Sequence, residues 1–219
     1  MLVVEHLAKN FGTLKAVQDL SFEIKDGEIL GLVGQNGSGK TTTFRMLLGL
    51  MQPTAGKVLW DGEKIGEKQK DMIGYLPEEQ GLYPKETIEQ QVMYFGKLRG
   101  KAPREIKEKL DYWMEHLQVK GKKNDKIKSL SKGNQQKVQL ITTLIHEPKL
   151  VILDEPFSGL DPVNAQIMQD AIIALRKQGS CVIFSSHNMA NVEQICDRLV
   201  MIKDGRQVLA GKVQDIKDT

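Results

Sequence analysis

The sequence predicts an α/β fold: a phosphate-loop NTPase core with a mostly parallel sheet, an N-terminal antiparallel β subdomain and an inserted helical subdomain. Three observations carry this. Gly34-Gln35-Asn36-Gly37-Ser38-Gly39-Lys40-Thr41 fits G-x-x-x-x-G-K-[ST], and it lies between a short apolar run, Ile29–Val33, and a helical stretch, Thr42–Leu50. Leu150–Leu153 and Cys181–Phe184 are continuous rather than alternating apolar runs, which suits central parallel strands buried on both faces. From Thr87 to about Lys128, apolar residues recur at helical spacing.

The N-terminal residues 2–33 read as antiparallel strands. Leu20-Ser21-Phe22-Glu23-Ile24 alternates with period two, Asp26-Gly27 signals a tight turn, and Glu28–Val33 is expected to return beside it as a hairpin. Upstream, Phe11 sits among the turn residues Asn10 and Gly12, where an aromatic ring either packs at a hairpin tip or stacks on a base. Lys57–Trp60 followed by Asp61-Gly62 is a second hairpin, and Met72–Leu76 a strand leading into the loop Pro77-Glu78-Glu79-Gln80-Gly81. In the helical section Ile88, Val92, Phe95 and Leu98 form one stripe, and Ile106, Leu110, Trp113 and Leu117 another, with Gly100–Pro103 between them. Lysines there interleave with acids, as on a solvated helix face. Val163–Lys177 and Asn188–Asp197 are helical, and Leu199–Ile202 with Val208–Ala210 forms a closing hairpin about Asp204-Gly205.

Composition bounds the function. The 219 residues suffice for one well-cored domain, taken as residues 1–219 with the helical subdomain at about 85–145. The net charge of +3 is too small to argue for nucleic acid, and none is expected as a partner. Cys181 and Cys196 are unclustered, so neither a metal site nor a disulfide framework is expected, and both thiols fit a reducing compartment. The N-terminus lacks a basic segment followed by an apolar run, and no stretch approaches the roughly 20 apolar residues of a bilayer span. Any membrane role therefore requires a partner.

The glycines of the loop let the backbone turn its N–H groups inward at a helix N-terminus, a nest for phosphate oxygens formed by Gly34, Asn36, Gly37, Ser38, Gly39 and Thr42 with Lys40 and Thr41. Lys40 is placed to reach the β- and γ-phosphates, and the Thr41 hydroxyl to hold Mg²⁺. Asp154 ends a buried strand and is placed as the second metal anchor. Glu155, next in sequence and turned to the other side, can orient or deprotonate a water. A GTP-dependent switch would want an Asn-Lys-x-Asp motif, and Lys123-Asn124-Asp125 has the wrong order.

With these motifs in place, the chain resembles the nucleotide-binding subunit of ATP-binding cassette (ABC) transporters over nearly its whole length. Leu130-Ser131-Lys132-Gly133-Asn134-Gln135-Gln136 stands where that family has its LSGGQ signature, before Asp154, and opens a helix reaching about Ile145. Lys132 and Asn134 depart from the usual signature, while Ser131 and Gly133 are retained. The resemblance implies that Ser131 and Gly133 close over the γ-phosphate held by a second subunit. It further implies that Ser158–Asp161 runs along the dimer interface, that His187 contacts the γ-phosphate and that Phe11 stacks on adenine. Glu78 stands where the family usually has a metal-sensing glutamine, and its carboxylate can still bind Mg²⁺. The tract Tyr75–Pro84 resembles a bacterial branch exporting drugs and sodium. The resemblance thus implies an ATP- and Mg²⁺-dependent ATPase. Its expected partners are a transmembrane permease subunit and a second ATPase subunit, and it would sit peripherally on the inner face of the cell membrane. The rival within the family, an ABC ATPase acting on ribosomes or DNA, fits less well. Translation relatives carry two cassettes, and repair relatives insert a long coiled coil where only 90 residues separate Lys40 from Ser131 here.

Overall fold

The computed structural model describes residues 1–79 and 81–217. In chain order its strands and helices are β1 (Leu2–Phe11), β2 (Leu14–Ile24), β3 (Ile29–Val33), α1 (Lys40–Leu47), β4 (Ala55–Trp60), β5 (Glu63–Lys64), α2 (Glu67–Lys70) and β6 (Ile73–Leu76). There follow α3 (Ile88–Leu98), α4 (Pro103–His116), α5 (Lys132–Leu144), β7 (Leu150–Leu153), α6 (Pro162–Lys177), β8 (Cys181–Ser186), α7 (Met189–Ile195), β9 (Arg198–Lys203), β10 (Arg206–Lys212) and α8 (Val213–Lys217). One sheet runs through them in the order β5-β4-β1-β2-β10-β9-β3-β8-β7-β6. The β5-β4-β1-β2 end is antiparallel, whereas β9, β3, β8, β7 and β6 pair in parallel. A single parallel pair, Arg206 with Gln18, joins the two regions.

The continuous apolar runs form the buried centre, as their composition requires: every residue of β3, β7 and β8 is buried. One core cluster lies on the face covered by α3 to α7, and a second lies beneath α1 and the antiparallel strands. The helix starts follow capping chemistry. Thr87 and Gln90 form a capping box at α3, Asp161 caps α6 ahead of Pro162, and Ser131 caps α5.

Three expectations are corrected. Glu28–Val33 does not return beside Leu20–Ile24: β3 pairs in parallel with β8 and β9, and β2 pairs with β1 and β10. A fully apolar run belongs in the double-covered centre, and the Asp26-Gly27 turn carries the chain across to it. The helical section ends at His116 rather than near Lys128, leaving coil and one 3-10 turn at Ile127–Ser129, because no apolar stripe continues past Leu117. Leu98, in the last turn of α3, is 63% exposed, while Ile88 and Val92 of its stripe are buried. The second stripe, Ile106, Leu110, Trp113 and Leu117, is buried throughout.

Candidate functional site

The parallel strands deliver their C-terminal ends to one edge of the sheet, where open α/β sheets bind ligands. β3 ends in the Gly34–Gly39 loop, β7 in Asp154-Glu155 and β8 in Ser185-Ser186-His187. The loop is pinned to β8 by Gly34 N–H donating to Ser186 O at 3.2 Å. Gly39 caps α1 at φ 109°, a conformation suited to glycine, and a Cβ there would lie 2.6 Å from the Ala16 carbonyl. The backbone turn expected from the glycine spacing is therefore enforced by contacts as well as by dihedral preference.

Around this loop the charged groups interlock. Lys40, 6% exposed, donates from Nζ to the carbonyls of Gly34 at 2.7 Å and Gln35 at 3.2 Å, and lies 3.4 Å from Glu155 Oε1. The Thr41 hydroxyl donates to Asp154 Oδ2 at 2.8 Å, and the Ser185 hydroxyl donates to Asp154 Oδ1 at 2.6 Å. Ser185 Oγ in turn accepts the Glu155 N–H at 2.7 Å. His187 Nδ1 stands 3.0 Å from Glu155 Oε2. Asp154 and Glu155, just past the end of β7, thus face different partners: Asp154 meets Thr41 and Ser185, and Glu155, at φ 49°, meets Lys40 and His187. Glu155 Oε1 and Ser38 Oγ are buried without a hydrogen-bond partner among the described residues.

A cleft of about 610 Å³ opens over the loop, and Phe11, Asn36, Gly37, Gly39, Lys40, Thr41, Thr42, Glu78, Asp154 and Glu155 all line it. Phe11 stands at the tip of the β1–β2 hairpin, 46% exposed, with Lys9 Nζ 5.4 Å from its ring centroid. Gly34 and Ser38 sit within the loop without lining the cleft, and His187 reaches it through Glu155. Ser131 and Gly133 are not among the residues lining it. Ser131 caps α5, its Oγ accepting from Asn134 N–H at 3.4 Å and Asn134 Nδ2 at 2.9 Å. Asn134 Oδ1 accepts the Lys120 N–H at 2.9 Å, so this departure from the usual signature fixes the Ser131 hydroxyl locally.

Ser185, which fixes both Asp154 and the Glu155 backbone, carries no role in the motifs. A pair of small hydroxyls ending a buried strand beside the carboxylate strand is the signal that could have found it. Thr41 and Asp154 offer two hard oxygen ligands in contact, and Glu78 adds a carboxylate on the same cleft. Among the described residues no three His, Cys, Asp or Glu side chains form a metal cluster by themselves. That donor set fits Mg²⁺, which takes one or two carboxylates together with substrate phosphate oxygens.

Strand ends, glycine loop, buried lysine and paired carboxylates define a phosphate-loop nucleotide hydrolase. The family profile described as ABC transporter matches residues 17–158. An uncharacterized ABC transporter ATP-binding protein of Bacillus subtilis, YhaQ, is 46% identical over 99% of this chain and 73% of its own length. The linearmycin resistance ATP-binding protein LnrL of the same organism is 35% identical over 99% of this chain and 70% of its own. A solved ATP-binding subunit of an ABC transporter superposes with a TM-score of 0.90 at 28% identity, covering 100% of this chain and 92% of its own. The chain belongs to the ABC transporter family, as an ATP-binding subunit with ATPase function.

Proposed function

We propose that this chain hydrolyses ATP as one half of a dimer and drives export through a separate transmembrane permease subunit, docked peripherally on the inner face of the cell membrane. Among the described residues no helix is long and apolar enough to cross a membrane, so transport requires that partner. The resistance function in the name of LnrL supports the export direction.

The observation that carries the chemistry is the environment of Glu155. Its two carboxylate oxygens face Lys40 and His187, and Oε1 is buried with no hydrogen-bond partner at the wall of the phosphate cleft. A buried carboxylate oxygen with free acceptor capacity, beside the phosphate loop, suits a group that orients and deprotonates water. Lys40 and the loop amides would neutralise phosphate charge, Phe11 would stack on the base, and His187 would hold Glu155 and reach the terminal phosphate. Mg²⁺, held by Thr41 and Asp154 with Glu78 nearby, would supply electrostatic stabilisation of the phosphoryl oxygens. From the signature turn, Ser131 and Gly133 would complete the site of a second subunit.

Glu155→Gln tests this. ATP should still bind, while single-turnover hydrolysis falls by about a hundredfold or more, the range of a lost general base. The ATP-bound dimer should then accumulate on size-exclusion chromatography. Unchanged single-turnover hydrolysis in the variant would remove Glu155 from this role.

A further inference from the structure

The loop that carries Glu78 is held from two different helices by buried glutamines. From α5, Gln139 Nε2 donates to the carbonyls of Pro77 at 3.4 Å and Glu79 at 3.3 Å, the two residues flanking Glu78. From α3, Gln91 Oε1 accepts the Tyr83 N–H at 3.0 Å. The loop is therefore gripped near both ends. Both side chains are almost fully buried, Gln139 at 4% exposure and Gln91 at 1%.

Each amide uses only one of its two ends. Gln139 Oε1 and Gln91 Nε2 have no hydrogen-bond partner among the described residues. Rotating either amide would not help, since Gln139 faces two acceptors and Gln91 faces a donor. Both glutamines line one cavity of about 290 Å³, bounded by α3, α5 and β6 and shared with Thr143 and His146. An amide buried with one end unpaired costs stability that an apolar side chain of similar size would not. The backbone that the paired ends hold is what distinguishes glutamine from leucine at these two places.

Glu78 lines the nucleotide cleft and has no ion-pair partner among the described residues. Its place there is therefore not set by an ion pair with any of those residues. Gln139 lies on the same helix as the Ser131 turn, two turns further along, so one rigid element carries both the anion-binding turn and the grip on Glu78.

We propose that Gln139 and Gln91 are positioning residues for Glu78, holding its carboxylate on the nucleotide cleft and tying its placement to α5. This rests on the ATP-hydrolysis role proposed above.

Gln91→Met and Gln139→Met keep side-chain bulk and remove the amides. Without nucleotide, exchange of the Tyr83 amide, followed by NMR, should accelerate at least tenfold in Gln91→Met while the β6 amides keep their rates. Unchanged Tyr83 exchange would overturn the Gln91 half. The link to chemistry is read by a double-mutant cycle on kcat. Glu78→Ala should change kcat at least fivefold in the natural background but less than twofold in Gln139→Met. Gln139→Leu, of similar bulk and without any hydrogen-bonding group, should behave as Gln139→Met does and replaces it if the methionine variant fails to fold. Equal effects of Glu78→Ala in both backgrounds, or no effect in the natural one, would overturn the proposal. Absence of ATP hydrolysis in the unmodified chain would instead overturn the hydrolytic role, and the exchange measurement would still decide whether Gln91 grips the loop.

Discussion

Lys40 shows how one residue is prepared for an anion. A buried ammonium requires partners, and here two backbone carbonyls and Glu155 supply them. An arriving phosphate offers the same ammonium stronger acceptors, so Lys40 can exchange partners without being left unpaired. His146 is a residue of the opposite kind, neutral by burial. It contacts the Ile73 carbonyl at 3.1 Å, and burial first, with nearby Arg99 next, pushes its pKa down to about 4. The unfolded chain, with a histidine near 6.5, binds that proton more readily over the interval between the two values. His146 therefore contributes stability that is fully present above about pH 6.5 and is lost as pH falls toward about 4, at up to about 1.4 kcal/mol per pH unit. Urea unfolding of the unmodified chain and His146→Gln across pH 4–7 checks this: the variant should show the shallower decline. Parallel declines would assign the acid sensitivity to other groups.

At the scale of elements, α3 and the loop before it present an apolar groove to solvent. Tyr83 and Tyr94 are each 50% exposed, their rings edge to face at 6.1 Å, with Pro84, Lys85, Glu86 and Gln90 around them. The family resemblance implies that this loop and the helices after it receive the permease subunit. Lys85→Glu with Glu86→Lys should cut transport severalfold in reconstituted vesicles while basal ATPase activity stays within about twofold, since exposed charges contribute little to folding. Basal activity falling in step with transport would point to a catalytic or folding defect. The elements differ in how plainly the sequence announced them. β7 and β8 were legible because continuous apolar runs have few alternatives, and α4 because Ile106, Leu110, Trp113 and Leu117 repeat without interruption. The partner of β3 was not legible. Its local signals, an alternating strand and Asp-Gly, match a hairpin, and only the sheet-wide need to bury an all-apolar strand on both faces moves it next to β8. The loop after Leu117 has the lysine-rich composition of a helix surface without a stripe, and it is held instead by backbone pairing: Ile88 N–H donates to Asp125 O at 3.1 Å and Glu89 N–H to Lys123 O at 3.0 Å. Such long-range pairings leave no mark in a short window of sequence. In the site, the phosphate-loop residues with Asp154 and Glu155 were legible because each carries chemistry at a strand end or turn, whereas Leu14, Lys15, Ala16, Asp204 and Gly205 line the same cleft without such a signal and were not. Ser185 was not, since its role depends on β7 and β8 being neighbours.

Across the whole molecule, the two helix starts proposed to bind phosphate are separate. Lys40, at the start of α1, lines the cleft, whereas Ser131 and Gly133, at the start of α5, do not. If the signature turn acts on phosphate, the phosphate belongs to another copy, and that division is testable by complementation. Lys40→Ala disables the phosphate-loop half of a site and Ser131→Arg the signature half, so each variant alone should be inactive. In a mixture, a heterodimer pairs the intact loop of one chain with the intact signature of the other, giving one whole site, while its second site carries both lesions. Random two-fold pairing makes about half of the dimers heterodimers, so single-turnover hydrolysis should recover to about a quarter of that of the unmodified chain. Tagged pull-down first establishes that the variants exchange. If exchange is established and the mixture hydrolyses no more ATP than the separate variants, independently firing cross-chain sites are excluded. The two helix starts would then have to serve one chain's phosphate after a large closure, or the two sites of the dimer would have to fire only together.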